Sequence, residues 1–241
     1  MNKLAAVLLL CLITLPAMAA PDCAPSRRGP DDEIGNANLI TPESVLAASR
    51  LVRTGKTYPL GITIDSRTPA FPPRSMSLYV VQPRQQQSRT ALPNSTCNDD
   101  MFVGWFGIGS QLDGLGHMGD PDGMYYNCHH ARDFADLSGL TRLGIHHVPP
   151  IVARGVVLDM AVEQKQGTPI REGDVVLFHT GWTDALLEPG PAAWAAGEPG
   201  QGEEVARYLA GKNVVAVGAD TWGVDAMPPG HCSPGRPGGK R

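Results

Sequence analysis

EEVARYLAGKNVVAVGAD, residues 203–220, changes character halfway along. Its first ten residues read as a helix and its last eight as an apolar strand. Helix-to-strand units of this kind are what mixed α/β chains are built from. Upstream, ARGVVLDMA (153–161) and DVVLFHTGW (174–182) read as two more apolar strands, the second opened by the turn REGD (171–174). The expected class is therefore α/β.

Further towards the N-terminus, TPESVLAASRLVRTGK (41–56) reads as a helix. Thr41 caps it, Pro42 suits its first turn, Gly55 ends it, and Val45, Ala48 and Val52 share a face. YPLGITI (58–64) alternates Leu60, Ile62 and Ile64 with other residues, as a half-buried strand does, and SLYVVQ (77–82) is a second strand. QPRQQQSRTALPNSTCND (82–99) is a polar loop. DMFVGWFGIGSQLDG (100–114), aromatic and β-branched at its start, reads as a strand running into a glycine-rich motif. Residues 129–150 are mixed and carry no clear period. The sequence shows no internal repeat and no dinucleotide fingerprint; the Gly107-x-Gly109 pair alone is weak evidence.

The chain opens MNKLAAVLLLCLITLPAMAAPDC. A short positive start at Lys3, an apolar run to Leu15 and the small residues Ala17 and Ala19 predict a secretory signal peptide over 1–19. The apolar run is short for a transmembrane helix. The expected product is an exported protein, periplasmic or secreted, with no membrane contact after cleavage. About 220 residues remain, enough for one sizeable core. The net charge of −4, without any basic run, gives no electrostatic footprint for nucleic acid. A small-molecule substrate is the expected partner. Four cysteines, Cys23, Cys97, Cys128 and Cys232, would enter an oxidising compartment. A Cys97–Cys128 bridge flanking the glycine-rich motif is the favoured pairing among three.

That motif is SQLDGLGHMGD (110–120). Asp113 and His117 have i, i+4 spacing, but Gly114, Gly116 and Gly119 each cost about 1 kcal/mol in a helix interior, so a helix is not expected. If residues 107–113 are extended, Gly107, Gln111 and Asp113 point one way, and a turn at Gly114–Gly116 returns His117 to them. Gln111, Asp113 and His117 then surround a divalent ion that activates water, or form a small cluster that orients a water, with His117 relaying the proton. The plainer alternative is a turn aspartate bonding its own backbone beside a structural histidine. One Asp, one His and one Gln fall short of a good zinc set.

Other candidates are weaker. His129–His130 and His146–His147 are neighbours whose side chains diverge on an extended chain, and read as loop residues. His179 in DVVLFHT is a satisfied core residue or a pocket residue, the former favoured. Asp220 and Asp225 end a strand, where either a site role or turn capping fits. Trp105, Phe106, Tyr125 and Trp222 are aromatic candidates for a pocket wall, with Trp105 and Trp222 the expected substrate contacts. There is no GxSxG elbow and no HExxH.

Taken together, five segments resemble, in order, the cyclase family of metal-dependent hydrolases, which includes bacterial kynurenine formamidases and isatin hydrolases. They are DDEIGNANLITPESVLAASRLVRTGKTYPLG, SQLDGLGH, LGIHHVPPIVARGVVLDMA, REGDVVLFHTGW and VVAVGADTWGVDAMP, spanning roughly Asp31 to Pro228. The resemblance implies a swivelling β/β/α domain over 20–228, a divalent metal (Mn, Zn or Mg) and hydrolysis of an amide or lactone-like bond. Substrates of that kind include aryl formamides resembling N-formylkynurenine, on the kynurenine route of tryptophan catabolism. It also implies a homo-oligomer.

In the better-studied branch the metal motif reads His-x-x-x-His-x-Asp, followed four residues later by His. Here the first two positions are Gly107 and Gln111, as in a branch with Gly-Ser-Gln before the Asp; Asp113 keeps the ligand role and His117 the proton-relay role. An oxygen-rich set of this sort suits Mn²⁺ or Mg²⁺ better than zinc. The family's further His and Glu ligands come from a segment after ADTWGVDA. Here PPGHCSPGRPGGKR follows, a Gly/Pro-rich tail over 229–241 in which His231 is a poor substitute, and the expectation is a truncated C-terminus. A non-catalytic small-molecule binding protein, or an inactive truncated homologue on the same fold, is the alternative.

Overall fold

The computed structural model describes residues 23–81, 98–160, 167–186 and 191–227. The expected signal peptide at 1–19, most of the polar loop at 82–99, Cys97, Cys232, His231 and the tail at 229–241 lie outside these residues. The described chain is α/β. Helix α1 (Pro42–Ser49) is followed by strands β1 (Met76–Val81) and β2 (Asp99–Gly104). A one-turn helix α2 (Ala131–Phe134) leads into the short strands β3 (Ala135–Asp136) and β4 (Gly139–Leu140). The C-terminal half runs β5 (Gly155–Asp159), β6 (Val175–His179), α3 (Trp182–Leu186), α4 (Pro191–Trp194), α5 (Glu203–Gly211) and β7 (Ala216–Ala219).

Strands β5, β6 and β7 form a parallel sheet in that order, with Val156 opposite Val176 and Val176 opposite Val217. Parallel neighbours need a crossover, and α5 supplies it before β7. Leu209 of α5 packs with Val176 and Val214, and Leu158, Ile170, Phe178 and Val217 surround them. The turn before β6 is closed by Asp174 N–H to Arg171 O at 3.3 Å. Asp174, 2 % exposed, receives Arg154 through Nε at 2.8 Å and Nη2 at 2.6 Å, and Arg171 N–H at 2.7 Å. This fork ties the start of β5 to the start of β6.

Strands β1 and β2 make a separate antiparallel ribbon in which Leu78 faces Phe102 and Tyr79 faces Met101. Three expectations about this N-terminal half need correction. The helix at 41–56 stops at Ser49, well short of Gly55, although Thr41 caps it as expected through Ser44 N–H at 3.2 Å. None of its residues is buried, so Val45, Ala48 and Val52 do not seal a core. Residues 58–64 form no strand and remain exposed, Leu60 at 79 %. Alternation requires a hydrogen-bonded neighbour to become a sheet, and this stretch instead lies against the motif by side-chain packing. A Cβ on Gly109 would sit 2.5 Å from Ile64 Cδ1.

The third correction concerns the motif strand, which ends at Gly104. Gly109 adopts φ +75°, a left-handed conformation that breaks the extended run. The alternation expected over 107–113 is therefore absent. The disulfide is also not the favoured one: Cys128 pairs with Cys23, their Cα atoms 5.7 Å apart. Buried Asn127 explains the choice. Its side chain accepts Ser26 N–H at 2.6 Å and donates to Gly29 O and Asp32 O at 2.9 and 2.7 Å, gathering the 23–32 segment beside Cys128.

Candidate functional site

The glycine-rich segment folds as a loop, and the loop brings the candidate residues together. His117 N–H bonds Gly114 O at 3.0 Å, closing a turn, and Gly116 N–H bonds the carbonyl of buried Leu143 at 3.1 Å. The result places Gln111 Nε2 3.5 Å and His117 Nε2 3.7 Å from the same oxygen, Asp113 Oδ2. Both separations exceed that of a strong hydrogen bond. Three polar side chains thus converge on a point without satisfying one another. Gly107 stands beside them: a Cβ there would lie 2.6 Å from Gln111 Oε1, so any side chain at 107 would displace the amide from this position.

Trp222 reaches the loop from the turn after β7, donating Nε1–H to Gly107 O at 3.1 Å. One ring contact is Phe71, at 4.9 Å between centroids; the other is the Arg74 guanidinium, 4.5 Å above the indole. Phe71 and Arg74 bracket a turn closed by Arg74 N–H to Phe71 O at 3.1 Å. Beneath lies Glu198, 5 % exposed, which accepts Trp222 N–H and Gly223 N–H at 2.8 Å each. Burial pushes its carboxyl above the usual range, against the opposing pull of those two amides. Trp105, also expected at the site, stays half-exposed where β2 runs out, its N–H on Ser75 O at 3.3 Å.

Arg74, Phe71 and Glu198 carried no signal in the sequence. They arrive from a proline turn and a coil, where no spacing rule points at position 107. The tilted contact between Phe71 and Trp194, 5.3 Å between centroids, extends the same aromatic cluster towards α4.

The remaining histidines and acids sort into structural roles or a separate cluster. His130 Nδ1 accepts Arg132 N–H at 3.1 Å and caps α2. His147 Nδ1 lies 3.3 Å from Glu33, whose carboxylate also holds Arg142 and Leu143 N–H. Asp220 accepts Thr180 N–H, Thr180 Oγ1–H and Gly181 N–H, so it caps the turn after β6. Asp225 joins an isolated parallel bridge with Gln201. His179 departs from its expected place in the core. It ends β6 at the open rim of the sheet, its side chain 40 % exposed, with Nδ1 3.1 Å from Asp159 and Nε2 3.6 and 4.0 Å from Asp184 and Asp220. The hydrogen bond to Asp159 is the main cause of a raised imidazole pKa, with Asp184 and Asp220 adding to it and burial opposing.

Asp113 and His117, with the Gln111 amide oxygen after a side-chain rotation, match the donors an oxygen-preferring divalent ion takes. Among the described residues no three His, Cys, Asp or Glu side chains are grouped to hold an ion. A set this small would hold an ion only with solvent completing its coordination, and it is not a closed structural zinc site.

An α/β chain with a parallel sheet and a polar glycine loop has a counterpart among solved structures. A crystal structure described as that of a novel cyclase superposes with a TM-score of 0.74 at 26 % identity, covering 83 % of this chain and 77 % of that one. The Cyclase family profile matches residues 58–226, and the chain belongs to that family. No curated protein matches it.

Proposed function

We propose that this protein is an exported, metal-dependent hydrolase of the cyclase family, cleaving an aryl formamide resembling N-formylkynurenine or a cyclic amide or lactone. The observation that carries the proposal is the convergence of Gln111 and His117 on Asp113 Oδ2. Asp113 and Gln111 would hold a divalent ion there, and it would supply Lewis acidity towards water. His117, open to solvent, takes a proton from the attacking water and returns it to the departing nitrogen as the C–N bond breaks. Asp113 Oδ2 faces His117 Nε2 and orients the imidazole during that exchange. Gln111 Nε2–H points at Asp113 from 3.5 Å, and after rotation its amide oxygen would join Asp113 in holding the ion.

The Cys23–Cys128 disulfide supports export to the periplasm or beyond, because such bonds persist in oxidising compartments. The same proposal carries the swivelling β/β/α arrangement, and a homo-oligomer built on the exposed β1–β2 ribbon.

The test is hydrolysis of formanilides and lactones by chelator-free protein with added Mn²⁺, Mg²⁺ or Zn²⁺. Asp113→Asn is expected to abolish turnover while leaving the melting temperature nearly unchanged, since Asp113 is half-exposed. An active Asp113→Asn protein would sink the assignment. Ligand binding without metal-dependent turnover would instead favour a non-catalytic binding protein on this fold.

A further inference from the structure

The Arg74 guanidinium is held in a defined plane and left without an anion. Among the described residues it makes neither an ion pair nor a side-chain hydrogen bond; its one side-chain partner is the Trp222 indole, 4.5 Å away. Stacking on an indole orients a guanidinium without consuming its N–H donors. Trp222 is itself fixed on three sides, by Phe71 at 4.9 Å, by Gly107 O at 3.1 Å and by Glu198 at 2.8 Å. Such a platform is preorganised, so little order is lost when something binds it.

Position decides what that something touches. Both side chains crowd the Cα of Gly107: a Cβ there would lie 2.6 Å from Gln111 Oε1 and 3.9 Å from Arg74 Nε. Arg74 Nε and the Gln111 amide oxygen therefore lie on the same side of Gly107, and Gln111 leads directly to Asp113 and His117. With one ring contact made by Phe71 and another by Arg74, and its N–H spent on Gly107 O, Trp222 has little left to offer a substrate directly. It acts through Arg74.

We infer that Arg74 is the substrate-anchoring residue of the site, and that the substrate class is an amide or formamide bearing a carboxylate. Two parallel N–H···O bonds from a planar guanidinium match a carboxylate and fix its orientation. The scissile carbonyl of a molecule so anchored is directed past Gln111 towards Asp113 and His117. The inference rests on that trio as the hydrolytic site, and its test has a binding arm independent of turnover.

The binding arm is calorimetric titration of wild type, Arg74→Ala and Arg74→Lys with 2-aminobenzoate and with aniline. Wild type is expected to prefer 2-aminobenzoate by roughly 10- to 100-fold, the scale of a charge-assisted hydrogen-bonded pair. Arg74→Ala should erase that preference and Arg74→Lys keep part of it, with melting curves confirming folded variants. The kinetic arm compares 2-formamidobenzoate with formanilide. Arg74→Ala should lower the ratio of their kcat/KM values by the same factor, chiefly through KM for the carboxylate.

Equal affinity for both ligands, binding of neither, or a preference that survives Arg74→Ala would overturn the anchor. So would an equal fall in kcat on both substrates, which marks an oxyanion-stabilising role. Arg74-dependent binding without hydrolysis of either substrate would leave the anchor standing and remove the hydrolase reading. Hydrolysis without Arg74-dependent preference would do the reverse.

Discussion

At position 107 the absent side chain matters as much as those present. A Cβ there would meet Gln111 Oε1 at 2.6 Å, so Gly107→Ala must push the amide away from Asp113. Displacements of about 1 Å in a catalytic constellation cost on the order of a hundredfold in rate. Gly107→Ala should lower kcat/KM at least about tenfold by that standard, with a calorimetric melt close to wild type. Unchanged turnover would show that Gln111 has no part in the site. Gln111, Asp113 and His117 were legible because they share one short loop, where glycine spacing excludes a helix and forces a turn. They meet not through strand alternation but in a loop after Gly104 that includes the left-handed Gly109. Arg74 and Glu198 were not legible. They join the site through an indole and two backbone amides, contacts that leave no local pattern in the chain.

The parallel strands are the elements the sequence announced most clearly, since their apolar runs are continuous. What it left unsaid is how their ends are tied. At the amino end, Arg154 neutralises Asp174, whose side chain is 3 % exposed. Removing one partner of such a pair strands a buried charge, so Arg154→Ala should cost about 3–5 kcal/mol of unfolding free energy by denaturant titration. A loss below about 1 kcal/mol would mean that the pair behaves as a surface bridge. At the carboxyl end, His179 sits among Asp159, Asp184 and Asp220, and its raised pKa gives stability a pH signature. The folded state binds the proton more tightly than the unfolded state. The contribution is therefore complete below the ordinary imidazole value of about 6.5 and fades as pH rises through the folded value. The melting-temperature gap between wild type and His179→Gln should be widest near pH 6 and shrink towards about pH 8.5, well above that ordinary value. A gap constant over that range would show that the histidine is held by shape alone. The stretch at 58–64 marks the opposite case. Its alternation is as good as that of any strand, yet a sheet needs a partner backbone, and residue pattern says nothing about whether one is near.

At the scale of the whole molecule, apolar exposure is uneven among the described residues, and packing among those residues does not explain it. The parallel sheet buries Val156 and Val176, but the β1–β2 ribbon exposes both faces: Leu78 and Phe102 on one, Tyr79, Met101 and Val103 on the other. Phe106, just beyond the ribbon, is 91 % exposed. An isolated two-stranded ribbon is at best marginally stable in water, and soluble monomers rarely leave an apolar patch of this size uncovered. A standard interface takes about 800 Å² from each partner, and the ribbon has exposed apolar side chains on both faces to contribute to one. A second copy is the simplest cover, because a two-fold axis sets the same apolar patch against itself. β2 also runs straight into the loop that holds Gln111 and Asp113, so such an interface would adjoin the site. Light scattering coupled to size exclusion should give a dimer or larger for wild type at micromolar concentration. Leu78→Glu with Phe102→Glu, or Tyr79→Glu with Met101→Glu, should yield monomers when the altered face is the one covered, since buried unpaired carboxylates are strongly unfavourable. A monomeric wild type would refute the interface. A dimer that withstands both pairs of charges would place it elsewhere and leave the ribbon's exposure without this explanation.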